Sequence, residues 1–231
     1  MVETFYRVPG APHLALLTDL HGRPFDAVLS SLRARRPSIL CIAGDIVYGH
    51  RRDRHLGPLQ AQTRVLPFLR ACASFAPTFL SLGNHEEILD DDDLETIRST
   101  GVTLLDNRWC RTAADGQDLV IGGLTSAYVR DTDGPDSSWL AAFAAEPGFH
   151  ILLSHHPEYF PLIPENVELV LSGHAHGGQW RILGHGVLAP GQGWWPKWTR
   201  GVYEGRLVVS AGLANTAHVP RIMNPCEVVY T

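Results

Sequence analysis

Five separated clusters carry residue types that bind metals: Asp19-Leu20-His21, Gly44-Asp45, Gly83-Asn84-His85-Glu86, Ser154-His155-His156-Pro157 and Gly173-His174-Ala175-His176. Together they offer carboxylates, an amide and several imidazoles, a mixed oxygen and nitrogen set that suits divalent cations. Two such cations held close together activate water and stabilise an in-line displacement at phosphorus. The pattern therefore points to metal-dependent hydrolysis of phosphoesters.

Each cluster brings a different piece of that chemistry. Asp19 and His21 stand at i and i+2, so in extended backbone both point to one side and could grip a single metal. Gly44 lets the backbone at Asp45 come close to a cation. Asn84 can offer its amide oxygen to a hard cation, and His85 beside it would face substrate, giving a proton to a leaving group or holding a phosphoryl oxygen. Taken alone, Asn84-His85 reads equally well as a turn with a capping Asn and an exposed His. His174 and His176 present two imidazoles on a glycine-flanked loop. The pair His155-His156 leaves open which of the two is the ligand.

The clusters need elements to carry them, and short apolar runs precede them. Leu14 to Thr18, Ile39 to Ala43 and Thr78 to Leu82 read as buried strands ending at Asp19, Gly44-Asp45 and Gly83-Asn84. Helical spacing over Phe25 to Arg36, stopped by Pro37, and over Leu59 to Phe75, where Pro67 should kink or split the helix, fills the gaps between them. That alternation implies parallel strands with crossover helices, and ligands gather beyond the carboxyl ends of such strands. Further on, Val102 to Leu105, Trp109 to Thr112 and Asp118 to Gly123 read as short strands, with a turn at Asp115-Gly116. A helix over Asp136 to Ala145 is expected, capped by Asp136 or Ser137. Phe149 to Leu153 then leads into His155, and Val167 to Leu171 into His174. The reading is two stacked mixed sheets with helices outside, in one domain over 1–231.

Composition narrows the classes. With 231 residues, 45% hydrophobic and 19% charged, the chain is long enough for a substantial core. A net charge of -5 and a pI near 6.2 argue against broad nucleic-acid binding. Cys41, Cys72, Cys110 and Cys226 show no paired spacing and read as reduced thiols of a cytoplasmic protein. No signal peptide and no transmembrane stretch are expected.

The order and wording of the clusters resemble the calcineurin-like metallophosphoesterases, whose pattern runs Asp-x-His, Gly-Asp, Gly-Asn-His-Asp/Glu, a lone His, then Gly-His-x-His. All five elements occur between Asp19 and His176. The resemblance implies an α/β (α+β) fold, a four-layer αββα sandwich. It implies two divalent metal ions (Mn, Fe or Zn), one bound by Asp19, His21, Asp45 and His176. The second would be bound by Asp45, Asn84, His155 and His174, with Asp45 shared. It further implies that a bridging hydroxide attacks phosphorus in line while His85 assists at the phosphoryl group or leaving oxygen. His155 rather than His156 fits the family's His-x-Pro spacing, which leaves His156 as a hydrogen-bonded neighbour. The tail is most similar to the bacterial YkuE/YaeI-type branch, whose members are often membrane-anchored phosphodiesterases. The Ser/Thr phosphatase branch expects arginines where this chain has Gly49 and Leu82, so a small phosphodiester substrate is favoured over a monoester. A phosphomonoesterase, or an idle scaffold of the same fold, is the alternative.

Other features read as structural. Asp90 to Asp93 reads as an exposed helix start, and His50, Arg51, Arg52, Arg54 and His55 as a solvated basic loop. Trp194, Trp195 and Trp198 could meet a base or a lipid interface, which leaves room for peripheral membrane contact. Rings packed over the sheet edge are the plainer reading. His13, His150, His185 and His218 have no motif partners.

Overall fold

A computed structural model describes residues 1–49, 59, 62–216 and 219–231. The expected basic loop and His218 lie outside these residues. Strands and helices are numbered along the chain among the described residues. The first sheet holds β1 (Val2–Phe5), β2 (Leu14–Leu17), β3 (Ile39–Ala43), β4 (Thr78–Ser81), β5 (Thr103–Leu104) and β16 (Glu227–Tyr230), in the order β1-β16-β2-β3-β4-β5. Strands β2 to β5 run parallel, and β16 pairs antiparallel to β2.

The continuous apolar runs of β2 and β3 are explained by burial on both faces. Ala15, Leu17, Leu40 and Ile42 face a helical layer, while Leu14, Leu16, Ile39 and Cys41 face the second sheet. The helical layer comprises α1 (Asp26–Arg35), α2 (Val65–Phe75) and α3 (Asp91–Arg98). They bury Val28, Leu29 and Leu32, then Val65, Phe68, Leu69 and Cys72, then Leu94 and Ile97. Pro67 lies in the first turn of α2, where a missing N–H costs no helical hydrogen bond, so it neither kinks nor splits the helix. The acidic run opens α3, where Asp90 and Asp93 form a reciprocal capping box.

The second sheet has the order β14-β15-β9-β8-β7-β6. Its members are β6 (Arg108–Ala114), β7 (Gln117–Leu124), β8 (Phe149–Ser154), β9 (Leu169–Ser172), β14 (Gly201–Tyr203) and β15 (Leu207–Val209). Strands β7, β8, β9 and β15 are parallel neighbours. Asp115 and Gly116, both at positive φ, turn β6 into β7. Val120, Leu152, Val170 and Val209 pack outward against α5 (Leu140–Ala144), which follows the short α4 (Ala127–Arg130). The result is the expected four-layer αββα arrangement, with one core between the sheets and one under each helical layer.

Two local expectations fail. Helix α5 begins at Leu140, not near Asp136, because the Asp136 carboxylate accepts the Ser138 N–H at 3.1 Å and its hydroxyl at 2.6 Å. That local turn competes with helix start. Of the Trp loop, only Trp198 packs inward, edge-on to Phe160 at 6.3 Å; Trp194 and Trp195 are 65% and 69% exposed. Four short strands flank this loop: β10 (Arg181–Ile182), β11 (His185–Gly186), β12 (Leu188–Ala189) and β13 (Gly193–Trp194). All four cysteines are free, and among the described residues no helix is long and apolar enough to cross a membrane.

Candidate metal centre

Five parallel strands from both sheets end at the five clusters: β2 at Asp19, β3 at Gly44-Asp45, β4 at Gly83-Asn84, β8 at His155 and β9 at Gly173-His174. Beyond β2, β3 and β9 the backbone turns sharply. Asp19 (φ 56°), His21 (φ 48°), Asp45 (φ 55°), His174 (φ 63°) and His176 (φ 46°) all occupy the left-handed region. Asp19 and His21 therefore converge by a turn rather than by the extended alternation expected from their spacing. Such conformations cost of order 1–3 kcal/mol each and need support from their surroundings.

Much of that support comes from Glu86, a residue of the third cluster to which the sequence assigned no role. It is fully buried, and its Oε2 accepts the N–H of Gly83 (2.7 Å) and Asp45 (2.8 Å). Its Oε1 accepts those of Ile46 (2.8 Å) and Val47 (3.2 Å). One carboxylate thus ties the loop after β4 to the loop after β3. Burial and the nearby Asp45 push this carboxyl up to about 7, while the amides of Asp45 and Val47 act in the opposite direction. Gly83 is required by the same junction, since a Cβ there would collide with Oδ1 of Asp45 and lie 2.9 Å from the His155 ring. On the other side, Thr18 donates its hydroxyl to Asp19 Oδ2 at 3.0 Å, and His21 N–H is held by the Asp45 carbonyl at 3.0 Å.

The side chains converge. Nε2 of His21 lies 3.8 Å from Asp19 Oδ1 and 3.7 Å from Asp45 Oδ2. Nε2 of His176 lies 3.6 Å from Asp19 Oδ1, and Nε2 of His155 lies 3.1 Å from Asp45 Oδ2. Asp19, His21 and His176 form one group whose ligating atoms lie within 4.8 Å of one another; Asp45, His155 and His174 form a second. Asp45 also groups with His21 and His85, so its carboxylate stands between the two.

Unsatisfied polar atoms collect at this spot. Asp19 Oδ1, both ring nitrogens of His21, Asn84 Oδ1 and His155 Nε2 are buried without a hydrogen-bond partner. Leaving such atoms unpaired is costly, and cations would satisfy them together. His155 is prepared for that role, because its Nδ1–H donates to the Ala43 carbonyl at 2.7 Å and directs Nε2 inward. The donors fit divalent cations. His176 carries a further contact: Nη2 of Arg221 lies 3.0 Å from its Nδ1, which places the ring hydrogen on the Nε2 that faces Asp19. For a neutral ring to offer that nitrogen to a cation, the hydrogen would have to move to Nδ1 and the Arg221 contact give way.

The electrostatics follow from burial and proximity. Burial disfavours charge on Asp19 and Asp45, yet His176, His21 and His155 around Asp19, and His155, His85 and His21 around Asp45, hold both carboxyls below their usual range. Burial opposes protonation of His155, but Asp45 and Asp19 outweigh it and raise the ring to about 10. Burial and the neighbouring His155 push His174 down to about 3, and burial pushes His176 down to about 4, so both present neutral rings.

His85 sits at the rim. Its Nδ1 donates to the Gly49 carbonyl at 2.6 Å, and Nε2 faces inward, 3.9 Å from Asp45 Oδ2. Its ring stands edge-on to His21 at 4.6 Å. His156 lies beside the centre with Nε2 at 2.8 Å from the Ser126 hydroxyl. His150 is occupied elsewhere by Glu168 and the Glu146 carbonyl. Glu86 and Arg221 escape a motif reading because the first acts through backbone N–H groups of another loop and the second through a ring contact from a distant segment. Glu86 alone had a signal, its place beside Asn84-His85.

Known proteins resemble this chain in sequence and in fold. A Caenorhabditis elegans protein described as a metallophosphoesterase, F40B5.2, is 28% identical over 77% of this chain and 39% of its own length. Phosphodiesterase YaeI of Escherichia coli (strain K12) is 29% identical over 77% of this chain and 66% of its own length. The chain thus spans less than two thirds of either relative. A dimetal phosphatase from Danio rerio shares the fold with a TM-score of 0.52 at 10% identity, covering 87% of each chain. Residues 12–178, which take in all five clusters, match the family described as calcineurin-like phosphoesterase, and the chain belongs to that family.

Proposed function

We propose that the chain hydrolyses phosphoesters, with diesters as the favoured class, at two divalent cations. Asp19, His21, Asp45 and His176 would hold one, and Asp45, Asn84, His155 and His174 the other. The observation that carries this reading is the cluster of buried, unpartnered donor atoms around the Asp45 carboxylate. Such a cation pair supplies Lewis acidity at phosphoryl oxygens and makes water acidic enough to attack near neutral pH. Mixed oxygen and nitrogen donors admit Mn, Fe or Zn.

The chain's own groups do the rest. Asp45 would be shared by both cations, since it groups with His155 and His174 and also with His21 and His85. Its backbone is held by Glu86, and Gly83 leaves room for its carboxylate. His85 is anchored through Nδ1, so Nε2 is presented toward the centre, where the ring as an imidazolium can hold a phosphoryl oxygen or hand its Nε2 proton to the departing alkoxide. Gly49 and Leu82 stand where phosphate-clamping arginines would favour a dianionic monoester. The name of the E. coli relative, a phosphodiesterase, supports the same preference.

Metal analysis of the purified chain, with rates on an aryl phosphate and a bis-aryl phosphate with and without chelator, tests the reading. Asp45→Ala should abolish chelator-sensitive turnover. His85→Ala should slow it by roughly 10²–10⁴-fold with both metals retained. Full activity in Asp45→Ala would refute the site, and a faster monoester would refute the preference for diesters.

A further inference from the structure

Glu158 lies in the short 3₁₀ helix Pro157–Leu162, just past His155 and His156. Both of its carboxylate oxygens are buried and neither makes a well-formed hydrogen bond; the nearby Gln192 side chain, which lowers this carboxyl, has its own amide committed to the Trp198 backbone. An ionisable group in that position needs a compensating contact. The surroundings supply candidates. His156 Nδ1 is 4.0 Å from Glu158 Oε2, and the His156 and His174 rings lie 4.1 Å apart. One ligand-type atom from each of His156, Glu158 and His174 falls within 4.8 Å of the others. Gly191 closes the group: a Cβ there would sit 2.5 Å from Glu158 Oε1 and 3.2 Å from His174 Nε2.

His174 thus belongs to two clusters, one with Asp45 and His155 and one with His156 and Glu158. The second cluster could be a separate cation site or an outer support for the first. Donor counting separates these uses. A neutral imidazole has one lone pair and one N–H. Once His174 gives its lone pair to a cation beside Asp45 and His155, its other nitrogen carries hydrogen and cannot bind a second cation. That N–H needs an acceptor, and the unpartnered oxygens of Glu158 are in its cluster. His156 completes the arrangement, since the Ser126 hydroxyl can donate to Nε2 and leave an N–H at Nδ1, facing Glu158.

We infer that Glu158 is a positioning residue of the metal centre, its carboxylate accepting the outward N–H of His174 and the Nδ1–H of His156, so that the lone pair of His174 is aimed at the cation it shares with Asp45 and His155. This rests on the dinuclear reading above. Outer-shell carboxylates of this kind fix the tautomer and orientation of a ligating histidine, and removing one costs about 10–100-fold in metal affinity.

The test is metal binding by the full chain, stripped with chelator and titrated with Mn²⁺ and Zn²⁺ against a competing indicator. Wild type should bind two equivalents. Glu158→Ala should weaken one of them by about 10–100-fold and leave the other within about twofold, with turnover recovered at high metal concentration. Glu158→Gln, which keeps one acceptor oxygen but turns an NH₂ toward the second N–H, should lose less than Glu158→Ala. Unchanged affinity in either folded variant overturns the proposal, and if Glu158→Ala does not fold, Glu158→Gln alone decides. Three equivalents in wild type falling to two in Glu158→Ala would overturn it in favour of a separate cation site. Wild type binding no cations would sink both this inference and the dinuclear reading, whereas two cations of unchanged affinity in the variants would sink this inference alone.

Discussion

Replacing Glu86 with glutamine should cost about 2–4 kcal/mol of stability and most of the metal. The reasoning starts from four backbone N–H groups, two on each carboxylate oxygen, all at 2.7–3.2 Å. Glutamine has the same shape, but one oxygen becomes an NH₂ that faces two N–H donors. Two buried hydrogen bonds to a charged acceptor are lost, at about 1.5–3 kcal/mol each, a gross cost of roughly 3–6 kcal/mol. Relief from burying a charge offsets part of this, as the raised carboxyl of Glu86 indicates. The net loss is a large share of the roughly 5–15 kcal/mol that holds a typical domain folded. Urea unfolding of chelator-treated wild type and Glu86→Gln, with equal m-values, measures it directly. Metal content of the untreated proteins reads the second effect, because the released backbone carries Asp45. A difference below about 1 kcal/mol with two metals still bound would refute the view that this carboxylate shapes the site.

Two further outcomes are expected. Gly83→Ala should destabilise the chain by about 1–3 kcal/mol and lower metal content, since the added methyl meets Asp45 Oδ1 and crowds the His155 ring; a thermal melt and metal analysis check it, and wild-type values in both would contradict the packing described. His155, raised from 6.5 to about 10, lends the chelator-stripped chain stability that is fully present below about pH 6.5 and fades as pH rises through about 10. Stripped His155→Gln should lack that alkaline decline in a urea series across pH, and an identical decline in both proteins would assign it to other groups.

The clusters and the strands that carry them were legible because parallel strands buried on both faces leave continuous apolar runs, and five of the runs here end at a cluster. The gathering of Asp19, Asp45, Asn84, His155 and His174 at one end of the sandwich follows from that arrangement. What the chain did not disclose is how the loops hold their shape. Asp19 and His21 look extended by spacing, yet both adopt left-handed backbone, a choice made by Thr18, Gly44 and the Asp45 carbonyl rather than by local preference. Helix α5 starts four residues late because Asp136 prefers Ser138 to a helical partner. Arg221 reaches His176 from a remote segment, and no periodicity records such a contact.

Three of the five strands that end at the clusters belong to one sheet and two to the other, so the cations would be gripped by jaws that meet across the apolar seam between the layers and are pinned at the site by the hydrogen bond from His155 to the Ala43 carbonyl. Sliding one layer over the other would change the bite on the metals before any loop unfolded. Seam residues far from phosphorus, such as Cys41, Phe79 and Leu153, would then act as tuning screws for metal retention, and a cavity there would loosen the clasp without touching a ligand.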